Sequence, residues 1–457
     1  ALQNYEQSLR MNPDNFHAED VIEQIKSPNS KPLPAGEKFS KLYAKKEYWE
    51  DLDQLGKKLI AIHPHALKFI SKDQFWKNIE SKKALITEKT TYAEFAWHCN
   101  AIIASLACSH TASSNMQNDY HEYAMLPVAN SFPLQVRWVN KQLFVVGPMN
   151  NSDQVKVKDE ILSINGVETA TVISDIFDHI PAQANIQTFK AQHFNTYFAA
   201  LIPYALGLPN SFEIVVKGKS GAVQLHKAER IATELYDASL NSCLKDLCLE
   251  IIDESTAVLT IASFNYYEWD SYPVFKAFID SSMNIINNKK LTNLIIDVRY
   301  NRGGSQYPSI YLLQHLMNKP FTYYSKAEFE GKSDKIYGEE LIEPLSNRFK
   351  GKVYFLIDGN GNSTTGHFMS LVKNHHLGTI IGEELGSNQF CTAGQMLTRL
   401  SNTKLVVSVA NNTHISTATE LPVEKGVLPD YYITQSIDEY LNKVDAVKNF
   451  TLKHIRN

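Results

Sequence analysis

From Thr256 onward the chain alternates between short apolar runs and longer amphipathic segments, and this alternation constrains the fold more than any other feature. The apolar runs have the length and composition of buried strands: Ala257–Ile261, Leu294–Val298, Val353–Ile357 and Thr379–Ile381. The segments between them have helical spacing: Ser271–Ile286, Tyr307–Met317 and Thr364–Asn374. Strands that alternate with helices are typical of α/β layers with parallel strands. We therefore expect an α/β fold here, completed by a strand at Val406–Val409 and a tail helix from Ile437.

The N-terminus has the pattern of a helical hairpin. One helix ends at an Asn-Pro-Asp-Asn turn, residues 12–15, and a second helix covers Phe16–Lys26. The pair resembles the end of a tetratricopeptide unit, whose partner helix would lie before Ala1. An ordinary helical hairpin is an equally good interpretation. A linker rich in Pro and Ser follows at 27–36, so the first unit is 1–36.

Two regions of different periodicity follow the linker. Apolar residues three and four apart predict amphipathic helices at Glu47–Ile62, Lys72–Ser81 and Tyr92–Leu106. Alternating apolar residues then predict strands within Phe132–Gly147 and a closing strand at Phe212–Val216. We therefore expect an N-terminal helical domain at 37–128, a β-rich domain at 129–222 and the α/β core at 223–457.

The composition of the 457-residue chain excludes several classes of protein. Apolar residues make up 44% and charged residues 21%, as in an ordinary globular protein. The net charge is −4 and no cluster of basic residues occurs, so no nucleic-acid partner is expected. No apolar run approaches the about 20 residues that cross a bilayer, so no transmembrane segment is expected. A leader peptide, if one precedes Ala1, lies outside this sequence.

Cysteine and histidine spacing gives no sign of a metal or a cofactor. The five cysteines are few and odd in number, which argues against a disulfide framework, and none has metal-ligand spacing. His63-Pro64-His65 and His375-His376 lack a carboxylate at ligand spacing on the same helix, so they indicate a metal only weakly. We therefore expect no cofactor.

Ser363 is the first candidate for chemistry. It follows a buried strand and a tight Gly/Asn-rich turn, and a helix begins at Thr364. The unpaired N–H groups of a helix N-terminus can stabilise an oxyanion. The competing interpretation is an ordinary N-cap serine, and on this feature alone it is the favoured one. The esterase pattern G-x-S-x-G is incomplete, because Thr365 stands where its second glycine would be.

Three further segments carry candidate residues. Gly303 and Gly304 follow the strand Leu294–Val298, where glycines can expose backbone N–H groups to a ligand, although a plain turn is the simpler interpretation. His110, after Ser109, has the chemistry of a general base only if the fold brings it to a nucleophile. Glu424 lies in a loop before Gly426, and a solvated turn is the alternative.

Together these segments resemble the tail-specific (C-terminal processing) and tricorn-like serine peptidases. The resemblance extends from about Glu47 to the C-terminus. Its carriers, in the order of that family, are Ser109-His110-Thr111, Val157–Gly166, Ile295–Gly304, Ser363–Phe368, Ile381–Glu384 and Glu424–Asp430. It implies a crotonase-like α/β core and a PDZ-like domain, because Lys158–Gly166 is similar to the Gly-Asp-Glu-Ile-Leu-x-Ile-Asn-Gly strand of PDZ domains. The carboxylate-binding Gly-Leu-Gly-Phe loop of PDZ domains is missing, so binding of C-terminal tails is not implied.

The family has two catalytic schemes, and the sequence favours one of them. The tail-specific branch pairs its serine with a lysine after Gly-Glu, whereas residues 382–389 contain no lysine. The tricorn-like branch uses Ser, His and Glu, with a second Ser beside the His. The resemblance therefore implies that Ser363 attacks the peptide bond and His110 takes its proton. Glu424 would support His110 through the Ser109 hydroxyl. The N–H groups of Gly303 or Gly304 and of Thr364 would receive the oxyanion.

Two departures from the family pattern keep a second function open. Thr364-Thr365-Gly366 replaces a pair of small residues and a Glu, and Arg302 stands where Pro or Gly is common. The leading expectation is a serine endopeptidase acting on peptides or unfolded proteins, secreted or in a bacterial cell envelope. The alternative is a catalytically inactive member that binds a peptide or an apolar ligand. The sequence gives no indication of the oligomeric state.

Overall fold

The computed structural model describes residues 2–12, 15–27, 35–115, 120–121, 126–235, 241–328 and 336–457. The turn at 12–15 and the linker at 27–36 fall largely outside these ranges, so both remain predictions.

In the described N-terminal ranges, six helices precede the first strands. They are α1 (Leu2–Met11), α2 (Phe16–Lys26), α3 (Ala35–Ser40), α4 (Lys45–Ile62), α5 (Lys72–Leu85) and α6 (Tyr92–Ala104). Tyr48 of α4 stacks on Phe95 of α6 with ring centroids 4.6 Å apart. A capping box, in which Thr91 and Glu94 exchange hydrogen bonds, starts α6. Because α6 is buried over most of its surface, the chain enters the segment with His110 from a fixed helix.

An antiparallel sheet follows the helices. After the short strands β1 (Ser114–Asn115) and β2 (Tyr120–His121), the elements are β3 (Gln135–Val139), β4 (Gln142–Gly147), β5 (Glu160–Ile164), β6 (Val167–Glu168), α7 (Thr169–Asp178), α8 (Gln187–Ala205), β7 (Glu213–Val216) and β8 (Ala222–Gln224). The strand order is β3-β4-β5-β7-β8, with β6 paired to β5. This sheet and helices α4–α6 share one hydrophobic core, so the two regions pack as one body.

The C-terminal half alternates strands and helices, as predicted. Its elements are β9 (Leu247–Ile251), β10 (Thr256–Ile261), α9 (Tyr272–Asn288), β11 (Asn293–Asp297), α10 (Gln306–Gln314), β12 (Tyr324–Glu328), β13 (Lys352–Ile357), α11 (Thr364–Asn374), β14 (Thr379–Gly382), β15 (Phe390–Ala393), β16 (Met396–Arg399), β17 (Val406–Val409), β18 (Asn412–Ser416), β19 (Tyr431–Tyr432), α12 (Ile437–Leu441) and α13 (Ala446–Arg456). The expected α/β fold class is confirmed. The bounds of α11 and β17 agree with the prediction, whereas the single predicted tail helix is two helices, α12 and α13.

The central sheet has the strand order β19-β14-β13-β11-β10-β9. All its pairs are parallel except β9 with β10. Helices α9, α10 and α11 cover one face of the sheet, and α13 packs on the other. Cover on both faces explains why these strands are continuous apolar runs in the sequence. No helix within the described ranges has the length and hydropathy to cross a membrane.

Cys243 and Cys248 form a disulfide, and Cys99, Cys108 and Cys391 are buried thiols. The odd cysteine count argued against a disulfide framework, and it gave no sign of this single local bridge. The two cysteines are five residues apart and close the turn that leads into β9. Such a short loop matches none of the spacing patterns that identify disulfide scaffolds.

Candidate active site

Ser363 lies between β13 and α11, at the carboxyl end of the central parallel sheet. Strand β13 ends at Ile357, residues 358–362 form the turn, and α11 begins at Thr364. Open α/β sheets bind their ligands at the carboxyl ends of their strands. Ser363 therefore occupies the N-cap position of α11, as the sequence predicts. It also lies at the edge of the sheet where such folds bind their ligands.

The backbone of Ser363 is strained, and its hydroxyl does not cap the helix. Its φ is 56° and its ψ is −123°. A left-handed conformation of this kind costs a residue other than glycine about 1–3 kcal/mol. An ordinary N-cap serine accepts a hydrogen bond from a backbone N–H in the first turn. Ser363 makes no such bond to the described residues, so the interpretation as a simple capping serine loses its main support.

Gly303 lies directly against this turn. A Cβ at Gly303 would lie 2.7 Å from the carbonyl oxygen of Asn362 and 2.7 Å from the Cβ of Ser363. The φ of Gly303 is +98°, which also disfavours any side chain. Glycine is therefore required at this position for the loop after β11 to approach Ser363 so closely.

Asn301 fixes the two loops to each other. Its buried side-chain oxygen accepts hydrogen bonds from the Gly303 N–H at 2.9 Å and from the Thr365 hydroxyl at 2.9 Å. Its side-chain amide donates to the Ile261 carbonyl at 3.0 Å. The Asn301 side chain thus joins the end of β10, the glycine loop and the first turn of α11. Asn301 lies in the segment Ile295–Gly304 that carries the family resemblance, but its anchoring role was not predicted, because its partners Ile261 and Thr365 are distant in the chain.

Two backbone N–H groups beside Ser363 remain available. The Gly303 N–H already donates a hydrogen bond to Asn301. Of the two glycines, only Gly304 is therefore a candidate oxyanion donor. Within the described ranges, neither the Gly304 N–H nor the Thr364 N–H donates a hydrogen bond. Thr364 follows Ser363, and the Thr364 hydroxyl donates a hydrogen bond to the Gly304 carbonyl at 2.5 Å. The two N–H groups therefore flank Ser363 as candidate donors to an oxyanion.

Ser109 and His110 lie beside the same turn. The Ser109 hydroxyl donates to the side-chain oxygen of Asn362 at 3.0 Å and lies 3.5 Å from Nδ1 of His110. Gln395 donates to the His110 carbonyl at 3.3 Å. The fold therefore brings Ser109, with His110 next to it, into contact with Asn362, which lies 253 residues later in the chain and directly precedes Ser363. Among the described residues, no direct hydrogen bond joins His110 to Ser363.

Cys391 contacts both Ser363 and His110. Its sulfur lies 3.9 Å from Nδ1 of His110, and the Ser363 side chain is close enough to lower the pKa of its thiol. Burial, followed by the nearby Cys108, raises the pKa of the Cys391 thiol from 9.0 to about 12, so the thiol is neutral at physiological pH. Sequence analysis missed Cys391, and no local pattern on β15 marks it.

Three other histidines surround His110 and are held neutral. Burial lowers the pKa of His63 and of His414 to about 4, and that of His367 to about 3. The proximity of His110 contributes to the lowering in each case. No group of three or more His, Cys, Asp or Glu side chains in the described ranges could hold a metal ion. These histidines therefore act as buried neutral neighbours of His110.

Glu424 lies in an exposed part of a firmly anchored loop. The Asn388 side-chain amide donates to the carbonyls on either side of Glu424, at Val423 (2.9 Å) and at Lys425 (2.7 Å). The Gly426 N–H donates to Glu384 at 2.9 Å. No described hydrogen bond or ion pair joins the Glu424 carboxylate to Ser109 or His110. The structure thus brings Ser109 and His110 to the turn that carries Ser363, and the part played by Glu424 stays a prediction.

The two departures from the family pattern have local structural reasons. The Thr364 and Thr365 hydroxyls bond to the glycine loop and to Asn301, respectively. A Cβ at Gly366 would lie 2.4 Å from the Ser387 hydroxyl, so a glutamate does not fit there. Arg302 is exposed and lines a separate groove beside α8.

Comparisons with known proteins agree with this geometry. Residues 255–433 match the model of peptidase family S41. The structure is similar to that of mature CPAF, with 13% sequence identity and a TM-score of 0.58 over 88% of this chain and 95% of that one. It is also similar to mature CPAF complexed with lactacystin, with 14% identity and a TM-score of 0.57 over 88% of this chain and 97% of that one. A comparison with curated protein sequences finds no match.

The solved structures show that the overall fold is shared, and the family model covers the strands and helix that carry Gly303, Gly304 and Ser363. The resemblance to tail-specific and tricorn-like serine peptidases is thus confirmed, and the α/β core of this chain carries the sequence pattern of peptidase family S41.

Proposed function

We propose that this protein is a serine endopeptidase that hydrolyses peptide bonds with Ser363 as nucleophile and His110 as general base. The observation that carries the proposal is the strained, non-capping Ser363 between the unused N–H groups of Gly304 and Thr364. A serine held on a strained strand-to-helix turn is the arrangement by which esterases expose their nucleophile. The S41 pattern of residues 255–433 supports the same assignment.

Acylation of Ser363 requires two proton transfers through His110. His110 takes the proton as the Ser363 oxygen attacks the peptide carbonyl carbon, and the carbonyl oxygen becomes an oxyanion. The Gly304 and Thr364 N–H groups stabilise that oxyanion. Collapse of the adduct breaks the C–N bond, and His110 gives its proton to the leaving amine. A water molecule then hydrolyses the acyl-enzyme by the same route.

Before the first proton transfer, the His110 ring has to turn from the Ser109 and Cys391 side toward the Ser363 oxygen. Catalytic hydrogen bonds are often long or poorly aligned without a substrate and tighten when one binds. The neutral Cys391 thiol is a weak hydrogen-bond partner, so its displacement costs little.

Glu424 is our proposed acidic partner, acting on His110 through the Ser109 hydroxyl. The anchoring of its loop supports this role. Asn388, which donates to the loop carbonyls, also accepts a hydrogen bond from the Phe390 N–H at 3.0 Å and so connects the loop to β15. Strand β15 carries Cys391, which contacts His110.

We propose a tetratricopeptide-like unit at 1–36, a helical domain at 37–128, a PDZ-like domain at 129–222 and a crotonase-like core at 223–457. We also propose a secreted or cell-envelope location. The Cys243–Cys248 disulfide supports it, because disulfides persist mainly in oxidising compartments.

Labelling with a fluorophosphonate probe tests the nucleophile. We expect covalent modification mapped by mass spectrometry to Ser363, complete loss of labelling in Ser363→Ala, and unchanged labelling in the control Ser220→Ala, an exposed serine. Lactacystin, which is bound in one of the CPAF structures, serves as a competitor in the same assay. Labelling at another serine would overturn the assignment.

An apolar groove favours a second candidate function, that of an inactive binding protein. The groove has a volume of about 530 Å³ and is lined by residues that include Ala200, Ile231, Ala232 and Arg302. Arg302 precedes Gly303, so the groove lies next to the candidate active site. Binding of an apolar ligand or peptide with no labelling of Ser363 would favour this function.

A further inference from the structure

A surface segment rich in aromatic residues begins at the glycine loop. The chain that leaves β10 passes alongside Gly304: the Phe264 N–H donates to the Gly303 carbonyl at 3.0 Å, and the Ser305 N–H donates to the Phe264 carbonyl at 2.9 Å. Gly304 is required there, because a Cβ would lie 2.2 Å from the Phe264 carbonyl carbon. The residues after Phe264 therefore start within contact distance of the proposed oxyanion site.

Two stacked pairs of aromatic rings lie on this surface. Trp269 is 78% exposed and stacks on Tyr267, with ring centroids 4.8 Å apart. Tyr307, three residues after Gly304, stacks on Tyr337 at 4.5 Å. Tyr272 contacts Tyr307 edge to face at 5.7 Å. A tryptophan exposed to this extent on top of another ring is unusual for a surface with no partner.

Carboxylates accompany these rings. Glu268 lies between Tyr267 and Trp269 in the chain and close enough to Tyr307 to influence its pKa. The two ring pairs are connected through Tyr272, whose N–H donates to the Tyr267 carbonyl at 2.9 Å and whose ring contacts Tyr307. Burial, followed by Glu268, raises the pKa of Tyr307 to about 12, and Tyr337 and Glu340 add to the shift. Among the described residues, no Lys, Arg or His forms an ion pair with Glu268 or Glu340. The surface thus carries negative charge that this part of the chain does not neutralise.

We propose that Tyr267, Glu268, Trp269, Tyr307, Tyr337 and Glu340 form a subsite for a basic side chain, Lys or Arg, of the polypeptide substrate. This inference rests on the proposed peptidase function. The face of an aromatic ring attracts a cation, and a neighbouring carboxylate adds charge complementarity. Because the subsite adjoins Gly304, it selects residues close to the bond that is cut.

A set of peptides tests the subsite on the whole protein. The peptides share one neutral sequence and differ in the position of a single lysine, and each is compared with its acetyl-lysine twin, which has no charge. We expect kcat/KM to favour lysine over acetyl-lysine at one position by about 2- to 30-fold, the range of cation–π contacts. Glu268→Gln and Trp269→Ala should each reduce that ratio toward one. Glu254→Gln, which removes an exposed carboxylate elsewhere, should keep it.

Binding to the Ser363→Ala protein separates failure of the subsite from failure of the proposed function. Fluorescence anisotropy should give a Kd ratio between the lysine and acetyl-lysine peptides similar to the kinetic one. Suppose that the wild-type protein cleaves no peptide, while the Kd ratio is present in Ser363→Ala and falls when Glu268→Gln is added. In that case the subsite stands and the peptidase assignment fails. If the ratio is near one at every position, or survives in both Glu268→Gln and Trp269→Ala, the subsite is wrong.

Discussion

The side-chain oxygen of Asn301 accepts a hydrogen bond from the backbone N–H of Gly303 at 2.9 Å. This bond removes Gly303 from the set of possible oxyanion donors and aligns the glycine loop at the same time. The same oxygen also accepts a hydrogen bond from the Thr365 hydroxyl, in the first turn of α11. The relative position of Gly304 and Ser363 therefore depends on one buried amide.

Asn301→Ala should lower both turnover and stability. The Ile261 carbonyl and the Thr365 hydroxyl lose a buried partner, and an unsatisfied buried group costs about 1–3 kcal/mol. A misplaced oxyanion donor typically lowers kcat by about 10²–10³-fold. Peptide hydrolysis and urea unfolding measure the two effects. Asn449→Ala, on an exposed face of α13, is the control. Wild-type turnover in Asn301→Ala would show that the loop needs no such anchor.

His110→Ala should reduce kcat by several orders of magnitude, because the members of a catalytic unit act together. The variant should fold normally, and KM should change little. His226→Gln, an exposed histidine in the antiparallel-sheet region, is the matched control. If His110→Ala retains turnover within a few-fold of wild type, another group is the base.

Glu424→Gln should lower kcat substantially but less than the loss of Ser363, because its proposed role is to support His110. The matched variant is Glu420→Gln, four residues earlier in the same loop region. A larger loss in Glu420→Gln would move the acidic partner upstream. Equal, wild-type turnover in both would leave Ser109 and His110 without a carboxylate.

Glu383→Gln should raise the Tm at pH 8 more than at pH 4.5. Burial, followed by the nearby Asp358, raises the pKa of Glu383 from 4.5 to about 7. The unfolded chain therefore loses this proton at a lower pH than the folded chain does, so the free energy of unfolding falls as the pH rises from about 4.5 to 7. Glutamine removes the free-energy cost of ionising a buried carboxyl at pH 8, and it retains a hydrogen-bond acceptor for Gln192. An equal change in Tm at both pH values would mean that Glu383 ionises freely in the folded protein.

The sequence predicted those parts of the fold that depend on local patterns. The period of the apolar residues predicted α11 with its observed bounds, and the alternation of strands and helices predicted the parallel sheet. The position of Ser363 at a helix N-terminus followed from the same local signals. These features depend on neighbours within a few residues, which a single sequence displays.

The rest of the site depends on contacts between distant segments. Asn301 lies in a segment that the sequence singles out, but its anchoring role depends on partners elsewhere in the chain. No local pattern marks Cys391, which lies near His110 on a separate strand. The sequence also left Gly303 and Gly304 as alternatives, because only the hydrogen bond to Asn301 separates them. The rings of Tyr307 and Tyr337 come together only in the folded chain.

Hydrolysis of an unfolded protein by wild type and by Ser363→Ala tests the central claim most directly. Both proteins are purified identically, matched by circular dichroism and Tm, and assayed for new peptide termini by mass spectrometry, with Ser220→Ala as the control. We predict cleavage by wild type and Ser220→Ala, and a rate lower by several orders of magnitude in Ser363→Ala. Near wild-type cleavage by a folded Ser363→Ala protein would contradict the account.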